Sequence, residues 1–326
     1  MFEMSDFGPG SVARRTSRRP VARPRAPSPP PACRNPYWSC HLSNPLVFLI
    51  GTSGFSYDDW RGFFYPKAIL DKDMLPFYAE RFPMVEVNST YYTVPSEESM
   101  RTMASKAPKD FEFVVKAHGS ITHERGPLTK SLPPFLAAIE PIRQAGKLGC
   151  LLFQFPGSFH YDDYGLAFLG ELREALPEGW PAVMEFRHDS WVRDEVYDAL
   201  NHLDFGFVNC DMPKLRGLLP PTDIVTSPLS YVRFHGRNAS NWYEHEEAYQ
   251  RYDYSYTEPE LDEWVPRLVD IGRRSRKTYV VFNNHPRGQS AENARALRGK
   301  LAVAEPGLEF KTGLEMVRKQ KTLDGF

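Results

Sequence analysis

From residue 46 onward, hydrophobic and polar positions alternate in blocks. Short apolar runs of strand length recur at LVFLIG (46–51), MVEVN (84–88), FEFVVKA (111–117), LGCLLFQF (148–155), AVMEFR (182–187), GFVNCD (206–211), LSYVRFHG (229–236) and TYVVFNN (278–284). They are rich in β-branched and aromatic residues, and their continuous apolar character predicts strands buried on both faces. Helical patterns fill most gaps. Ser96, followed by Glu97 and Glu98, opens a helix carrying Met100, Met103, Ala104 and Ala107, and Pro108 stops it. Pro133 and Pro134 open a second, with Phe135, Leu136, Ile139 and Ile142 on one face and Gly146 at its end. Leu166, Leu169, Leu172 and Leu176 form a third stripe, closed by Pro177. Ser190 caps a fourth, with Val192, Val196, Leu200 and Leu203, and Ser290 caps the last, through Ala294 and Leu297.

Eight strands alternating with helices is the count expected of one (β/α)8 TIM-type barrel, which takes roughly 250 residues. The competitor is a doubly wound open sheet with an early nucleotide fingerprint. GTSGFSYDDW at 51–60 is not G-x-G-x-x-G, and no Walker motif occurs. The barrel is therefore assigned to 46–326. Residues 1–45 differ in kind. SVARRTSRRPVARPRAPSPPPACRNP (11–36) has too little apolar surface to offset the entropy of ordering, so a disordered basic extension is expected. It reads as an arm for nucleic acid or acidic partners, as a plain solvated extension, or as a start placed too far upstream.

Composition narrows the class. A 41% hydrophobic and 25% charged chain is ordinary for a water-soluble globular protein. The first 45 residues hold seven Arg and two acids, leaving 33 of the 40 basic and 39 of the 41 acidic residues in the body. A mildly acidic body argues against general nucleic-acid coating while allowing a local basic cleft. Cys33, Cys40, Cys150 and Cys210 form no C-x-x-C pair, and Cys150 and Cys210 sit in apolar runs. Buried, reduced thiols and a cytoplasmic location are expected. No apolar run approaches the roughly 20 residues of a membrane span, and LVFLI is too short for a secretory core.

Strand parity places residues i and i+2 on one face. Applied at the C-terminal strand ends, it gives Glu86 with Asn88, Lys116 with His118, Glu185 with Arg187, Asn209 with Asp211, Arg233 with His235, and Asn283 with His285; Gln154 and Asn284 lie beside them. Barrel enzymes carry their sites at this face. The deeper layer would hold Glu86, Lys116, Glu185 and Arg233: two carboxylates tuned by two bases for acid–base chemistry, or a closed ionic network filling the barrel. Glu86, Glu185, Asp211, His235 and His285 are types that suit a divalent ion, but Lys116 and Arg233 would repel one and no H-E-x-x-H occurs, so neither metal nor cofactor is assigned. The start of the last helix, after PRGQ, offers an anion site with Arg187, Arg233 and His235 as partners. Two aromatic segments, 55–66 and 235–256, would stack on sugars or bases or close as a lid.

Taken together, IGTSGFSYDDWRGFFYP (50–66), FPMVEVNSTYYTVPS (82–96), FEFVVKAHGSITH (111–123), LLFQFP (151–156), MEFRHDSW (184–191), YVRFHGRN (231–238), YSYTEPEL (254–261) and FNNHPRGQSAENA (282–294) resemble the YecE-like family, which carries domain of unknown function 72. The resemblance runs over about residues 48–300. It implies a TIM barrel and supplies no activity.

Two functions from different classes follow. The first is a hydrolase or isomerase acting on a phosphorylated or sugar-containing ligand. Glu86 and Glu185 would be acid and base, Lys116 and Arg233 would set their pKa values or hold an oxyanion, and the remaining strand-end residues would orient the ligand. The alternative is a nucleic-acid or phosphate-ligand binding module, its aromatic loops on bases and its arginines on phosphates. A barrel whose site has decayed is the bland third reading, and the intact set of strand-end pairs tells against it.

Overall fold

The computed structural model describes residues 47–311; the expected basic extension, with Cys33 and Cys40, lies outside them. Eight parallel strands follow in chain order: β1 (Val47–Ser53), β2 (Met84–Val87), β3 (Glu112–Lys116), β4 (Leu148–Gln154), β5 (Ala182–Glu185), β6 (Gly206–Asp211), β7 (Leu229–Phe234) and β8 (Lys277–Phe282). Each pairs with the next, and β1 closes the ring by pairing with both β8 and β2. The described residues thus form a single closed (β/α)8 barrel. Pairing of β1 with β2 is confined to Thr52↔Val85 and Ser53↔Glu86, which leaves an edge of Val47 and Phe48 that a short β9 (Glu309–Phe310) covers.

Eight helices lie between or after the strands: α1 (Asp71–Ala79), α2 (Glu97–Lys106), the single turn α3 (Gly119–Thr122), α4 (Leu128–Gln144), α5 (Asp163–Ala175), α6 (Asp194–His202), α7 (Glu258–Arg273) and α8 (Gln289–Ala304). Their starts follow local chemistry. Ser96 accepts from Ser99 N at 3.2 Å, Asp162 accepts from Gly165 N at 2.6 Å, and Thr257 with Glu260 forms a reciprocal capping box.

Three helix starts differ from those expected. α4 begins at Leu128 and carries Pro133 and Pro134 inside it. Those prolines are exposed, as are Thr129 and Lys130 four residues earlier, so water can serve the carbonyls they leave unbonded. Ser190 does not cap α6. Its hydroxyl is tied to His188 Nδ1 and Tyr161 N, both at 2.9 Å, and the helix starts at Asp194. Ser290 is a buried residue within α8, and the cap is Gly288 at φ 77°, a left-handed conformation that glycine adopts without steric cost.

The strands are almost wholly buried, and aromatic rings fill the space between them and the helices. Trp191 is one anchor: its Nε1 donates to Phe159 O at 2.6 Å and its ring stacks on Phe186 at 4.2 Å. Cys150 and Cys210 are buried free thiols. Among the described residues, no helix is long and apolar enough to cross a membrane.

Candidate active site at the barrel mouth

Register decides which polar side chains meet. Ser53 pairs with Glu86, Gln154 with Glu185, and Cys210 with Arg233, placing these residues in one interior layer near the C-terminal strand ends. Arg233 crosses the layer. Its Nη2 donates to Glu86 Oε1 at 2.6 Å and to Ser53 Oγ at 3.0 Å, and its Nη1 donates to Glu185 Oε2 at 2.9 Å. Glu86 also accepts from Ser53 Oγ at 2.5 Å and from Tyr231 OH at 2.6 Å. Both carboxylates are fully buried and Arg233 is 2% exposed, so only a network this complete makes the charges tolerable.

Glu185 is shared further. Arg187 Nε lies 2.7 Å from its Oε1 and His235 Nε2 lies 3.2 Å from the same oxygen. Neither approach is aligned for a hydrogen bond, so both are ionic or dipolar contacts. Burial works to raise the Glu185 carboxyl, but Arg233, Arg187 and His235 outweigh it and hold the group well below the carboxylate range. Burial and Arg187 drive His235 far down, against Glu185, and leave a neutral ring. Asn283 Nδ2 lies 3.1 Å from its Nδ1, a pairing that suits an Nε2–H tautomer facing Glu185.

Lys116 is the odd member. It stands in the same layer, yet its amine makes no hydrogen bond or ion pair among the described residues, because Arg233 and Arg187 occupy the nearby carboxylates. Its nitrogen sits 4.4 Å over the Tyr91 ring. Burial, then Arg233, lowers its pKa to about 7; Arg187 adds to this, while Glu185 and Glu86 oppose it. The same side of the mouth holds His123, lowered to about 4 by burial and then by Lys116, Arg187 and Arg125. Beyond its contact with Glu185, the only acceptor Arg187 meets among the described residues is Met212 Sδ, 3.8 Å from Nη1.

The opposite wall is aromatic. Tyr57 stacks on His285 at 4.5 Å and 3°, with its hydroxyl donating to Ser53 O at 2.7 Å. Tyr252 lies 6.2 Å from both His235 and His285, and Trp242 lies 6.3 Å from His235. Trp242 and Tyr252 of the second aromatic segment thus pack against each other and against the two histidines, and the segment has internal bonds of its own. Asn238 pins it by donating to Gln250 O and Asp253 O, both at 3.1 Å.

Of the strand-end residues expected at the mouth, Glu86, Lys116, Gln154, Glu185, Arg187, Arg233, His235, Asn283 and His285 come together, and Asn88 joins through a hydrogen bond to Ser53 Oγ. The others are engaged elsewhere. β6 runs in the opposite phase: Cys210 faces the interior, while Asp211 pairs with Phe234 and points outward. There Asp211 accepts from Arg237 (2.9 and 2.8 Å), Tyr256 OH (2.7 Å) and Trp264 Nε1 (2.6 Å), clamping the β7–α7 loop. Asn209 likewise serves Thr222 and Ile224. Asn284 turns away to Tyr254 O and Asn293, both at 2.8 Å. His118 caps α3, with Ser120 Oγ at 2.8 Å. The turn before α8 already receives a carboxylate of the chain, since Arg287 N donates to Asp59 at 2.7 Å. The cationic pole lies instead between β3 and β5.

Ser53, Tyr57, Tyr91, Tyr231 and Cys210 line the site without having been expected there individually. The GTS ending of the first strand carried a usable signal, because Ser53 falls at the parity and end where the other strands place polar residues. Glu185, Cys210 and His235 bring three donor atoms within 4.8 Å of one another, but two guanidiniums share that carboxylate and oppose a cation. A cavity of about 600 Å³ lies elsewhere, against α8, lined by Phe82, Arg295, Arg298 and Phe310. None of the acids and bases of the interior layer reaches it.

Residues 49–316 match the family described as "Protein of unknown function DUF72". A curated Bacillus subtilis (strain 168) protein, UPF0759 protein YunF, is 28% identical over 280 residues, covering 80% of this chain and 97% of that one. The crystal structure of a DUF72 family protein from Thermotoga maritima MSB8 is 41% identical, covering 78% of this chain and 99% of its own, with a TM-score of 0.73. One from Enterococcus faecalis V583 is 27% identical, covering 78% and 95%, with a TM-score of 0.69.

Proposed function

This chain belongs to the DUF72 family, and from the geometry of its barrel mouth we propose that it is an enzyme moving a proton on a small anionic, sugar-like ligand such as a sugar phosphate. One observation carries the reading. The interior layer holds three basic side chains, Lys116, Arg187 and Arg233, against two carboxylates, Glu86 and Glu185, and Lys116 is the one left unpartnered. An entering phosphate or carboxylate would complete the charge balance beside Lys116 and Arg187, and the Tyr57–His285–Tyr252 wall would take the ring or carbon chain.

The geometry redistributes the roles first expected of the carboxylates. Glu86 and Glu185 fix Arg233 and Arg187, and with them the field at Lys116. Held as an anion, Glu185 is unsuited to donate a proton to a leaving group, which disfavours hydrolysis by a carboxyl pair. An amine titrating near neutrality suits transfer in both directions, so the isomerase side of the reading is preferred. No cofactor is invoked, and the buried thiols Cys150 and Cys210 fit a reducing cytoplasm.

The test is deuterium exchange. Aldose and ketose phosphates incubated with the protein in D2O are followed by NMR for loss of C–H signals. Exchange with one sugar class, abolished in Lys116→Met, is expected. Binding without exchange would move the reading to the second candidate, a phosphate or nucleic-acid binding module. Exposed Tyr92, Tyr243 and Tyr249 in segments after the strands, and exposed Tyr164 at the start of α5, favour that candidate, while exposed Glu244, Glu246 and Glu247 oppose a polyanion. It requires affinity that falls steeply with salt.

A further inference from the structure

We propose that Lys116 acts covalently, forming an imine with an aldehyde or ketone carbon of its anionic ligand. The proposal rests on the reading above and names its substrate class: carbonyl compounds that also carry a phosphate or carboxylate.

The placement of Lys116 meets the requirements of such a nucleophile. It is rooted on the last residue of a barrel strand, so its Cα is fixed by pairing with β4 through Lys116↔Leu152. The amine lacks the ion pair that would lock it as an ammonium, although two carboxylates share its layer. Arg233 bridges Glu86 and Glu185, and Arg187 covers the remaining oxygen of Glu185. The side chain is half-buried, so a small molecule entering from the mouth can reach it. Tyr91 supports it from one side with a ring face, which cannot accept a proton from it. Neighbouring guanidiniums and partial burial both favour the free amine, the arrangement by which proteins make lysine nucleophilic, and its titration near neutrality agrees.

The step balances with solvent water as proton donor and acceptor. The Nζ lone pair forms a C–N bond to the carbonyl carbon while the C=O π pair moves to oxygen. That oxygen takes a proton from nitrogen to give a carbinolamine. Protonation of the hydroxyl and loss of water break the C–O bond and leave a protonated imine. The cationic nitrogen then draws electrons from the adjacent C–H, whose proton passes to water, so Lys116 promotes the transfer as an electron sink and does not take the proton itself. Arg187, paired to Glu185 through Nε but with no carboxylate on its Nη groups among the described residues, would hold the distant anionic group and orient the carbonyl.

The experiment uses the full chain with glyceraldehyde 3-phosphate in limiting amount and sodium cyanoborohydride, which reduces an imine to a stable secondary amine. Intact mass and peptide mapping locate the adduct. The expected result is one dominant adduct on Lys116, at least tenfold over any other lysine. Its rate should rise through about pH 7 and fall at least tenfold in Arg187→Met. Equal labelling of surface lysines, or unchanged total labelling in Lys116→Arg, would overturn the proposal. Glycerol 3-phosphate, which has the same charge and no carbonyl, separates the two readings. If it stabilises the protein against heat and loses that effect in Arg187→Met while no adduct forms, the anion site stands and the imine falls. If it neither binds nor protects and no adduct forms, both fall.

Discussion

Lys116→Met should make the protein more stable at neutral pH. A lysine titrates near about 10.4 in an unfolded chain, whereas Lys116 in the barrel is lowered to about 7, first by burial and then by Arg233. That difference of roughly three units corresponds to an upper limit of about 4 kcal/mol. Two terms reduce it. Met gives up the ammonium over Tyr91, worth about 0.5–1 kcal/mol, and the half-open side chain is partly screened by solvent. A net gain of about 2 kcal/mol remains, or about 4–8 °C in Tm at roughly 2–4 °C per kcal/mol for a domain near this size. The pH dependence identifies the cause. Between pH about 7 and about 10.4 the unfolded chain holds the Lys116 proton more tightly than the folded one, so wild-type stability climbs with pH across this window. The Met variant lacks that climb. Its advantage should be full at and below pH 7 and vanish near pH 10, as read by thermal unfolding of both proteins across pH 6–10. A variant less stable than wild type at pH 7, or an advantage that does not change with pH, refutes the reasoning.

Other perturbations probe the network around it. Arg233→Met takes from buried Glu86 its paired guanidinium and leaves buried Glu185 with Arg187 alone, and should cost about 3–5 kcal/mol at pH 7 by denaturant unfolding. Because Arg233 is the chief group holding Glu185 low, that deficit should shrink as pH falls and the stranded carboxyl takes up a proton. A deficit that stays constant down to the acid limit contradicts the network reading. Asp211→Asn should loosen the β7–α7 loop, because the neutral amide cannot serve Arg237, Tyr256 and Trp264 together. Hydrogen exchange over residues 237–256 should speed up at least tenfold while the strands stay protected, and equal exchange in both proteins would show that Asp211 is no clamp.

The barrel was legible because its signal is repeated and local. Eight apolar runs of strand length need no knowledge of tertiary contacts, and all eight appear as strands. The site was legible as far as parity holds. β2, β5, β7 and β8 place their polar pairs as alternation from the strand end requires, β3 places Lys116 but turns His118 to cap α3, and β6 does not place its pair so. Its GFVNCD run offers two phases, and the polar phase looks inward when read alone. It turns outward because Arg237, Tyr256 and Trp264, all from the β7–α7 loop and α7, supply partners behind the sheet. Such partners, 26 to 53 residues away, leave no local trace. Ser190 and Ser290 mislead for a related reason. Each is a good cap by type, but His188 and Gly288 had already set the local backbone. Nor could spacing show that Arg233 would bridge both carboxylates and leave Lys116 alone. That outcome depends on reach across the barrel from β7 to β2 and β5, where one guanidinium outcompetes an ammonium for two acceptors by virtue of its fork.

The central claim is that the mouth takes an anion beside a lysine that is half-charged near neutrality. Its most direct test is titration calorimetry of glycerol 3-phosphate at about pH 8, repeated in buffers of different ionisation enthalpy. Anion binding should pull a proton onto Lys116, so net proton uptake is expected on binding, absent in Lys116→Met, with affinity weakened at least tenfold in Arg187→Met. Binding without proton uptake and unchanged in both variants, or no binding at all, would contradict it.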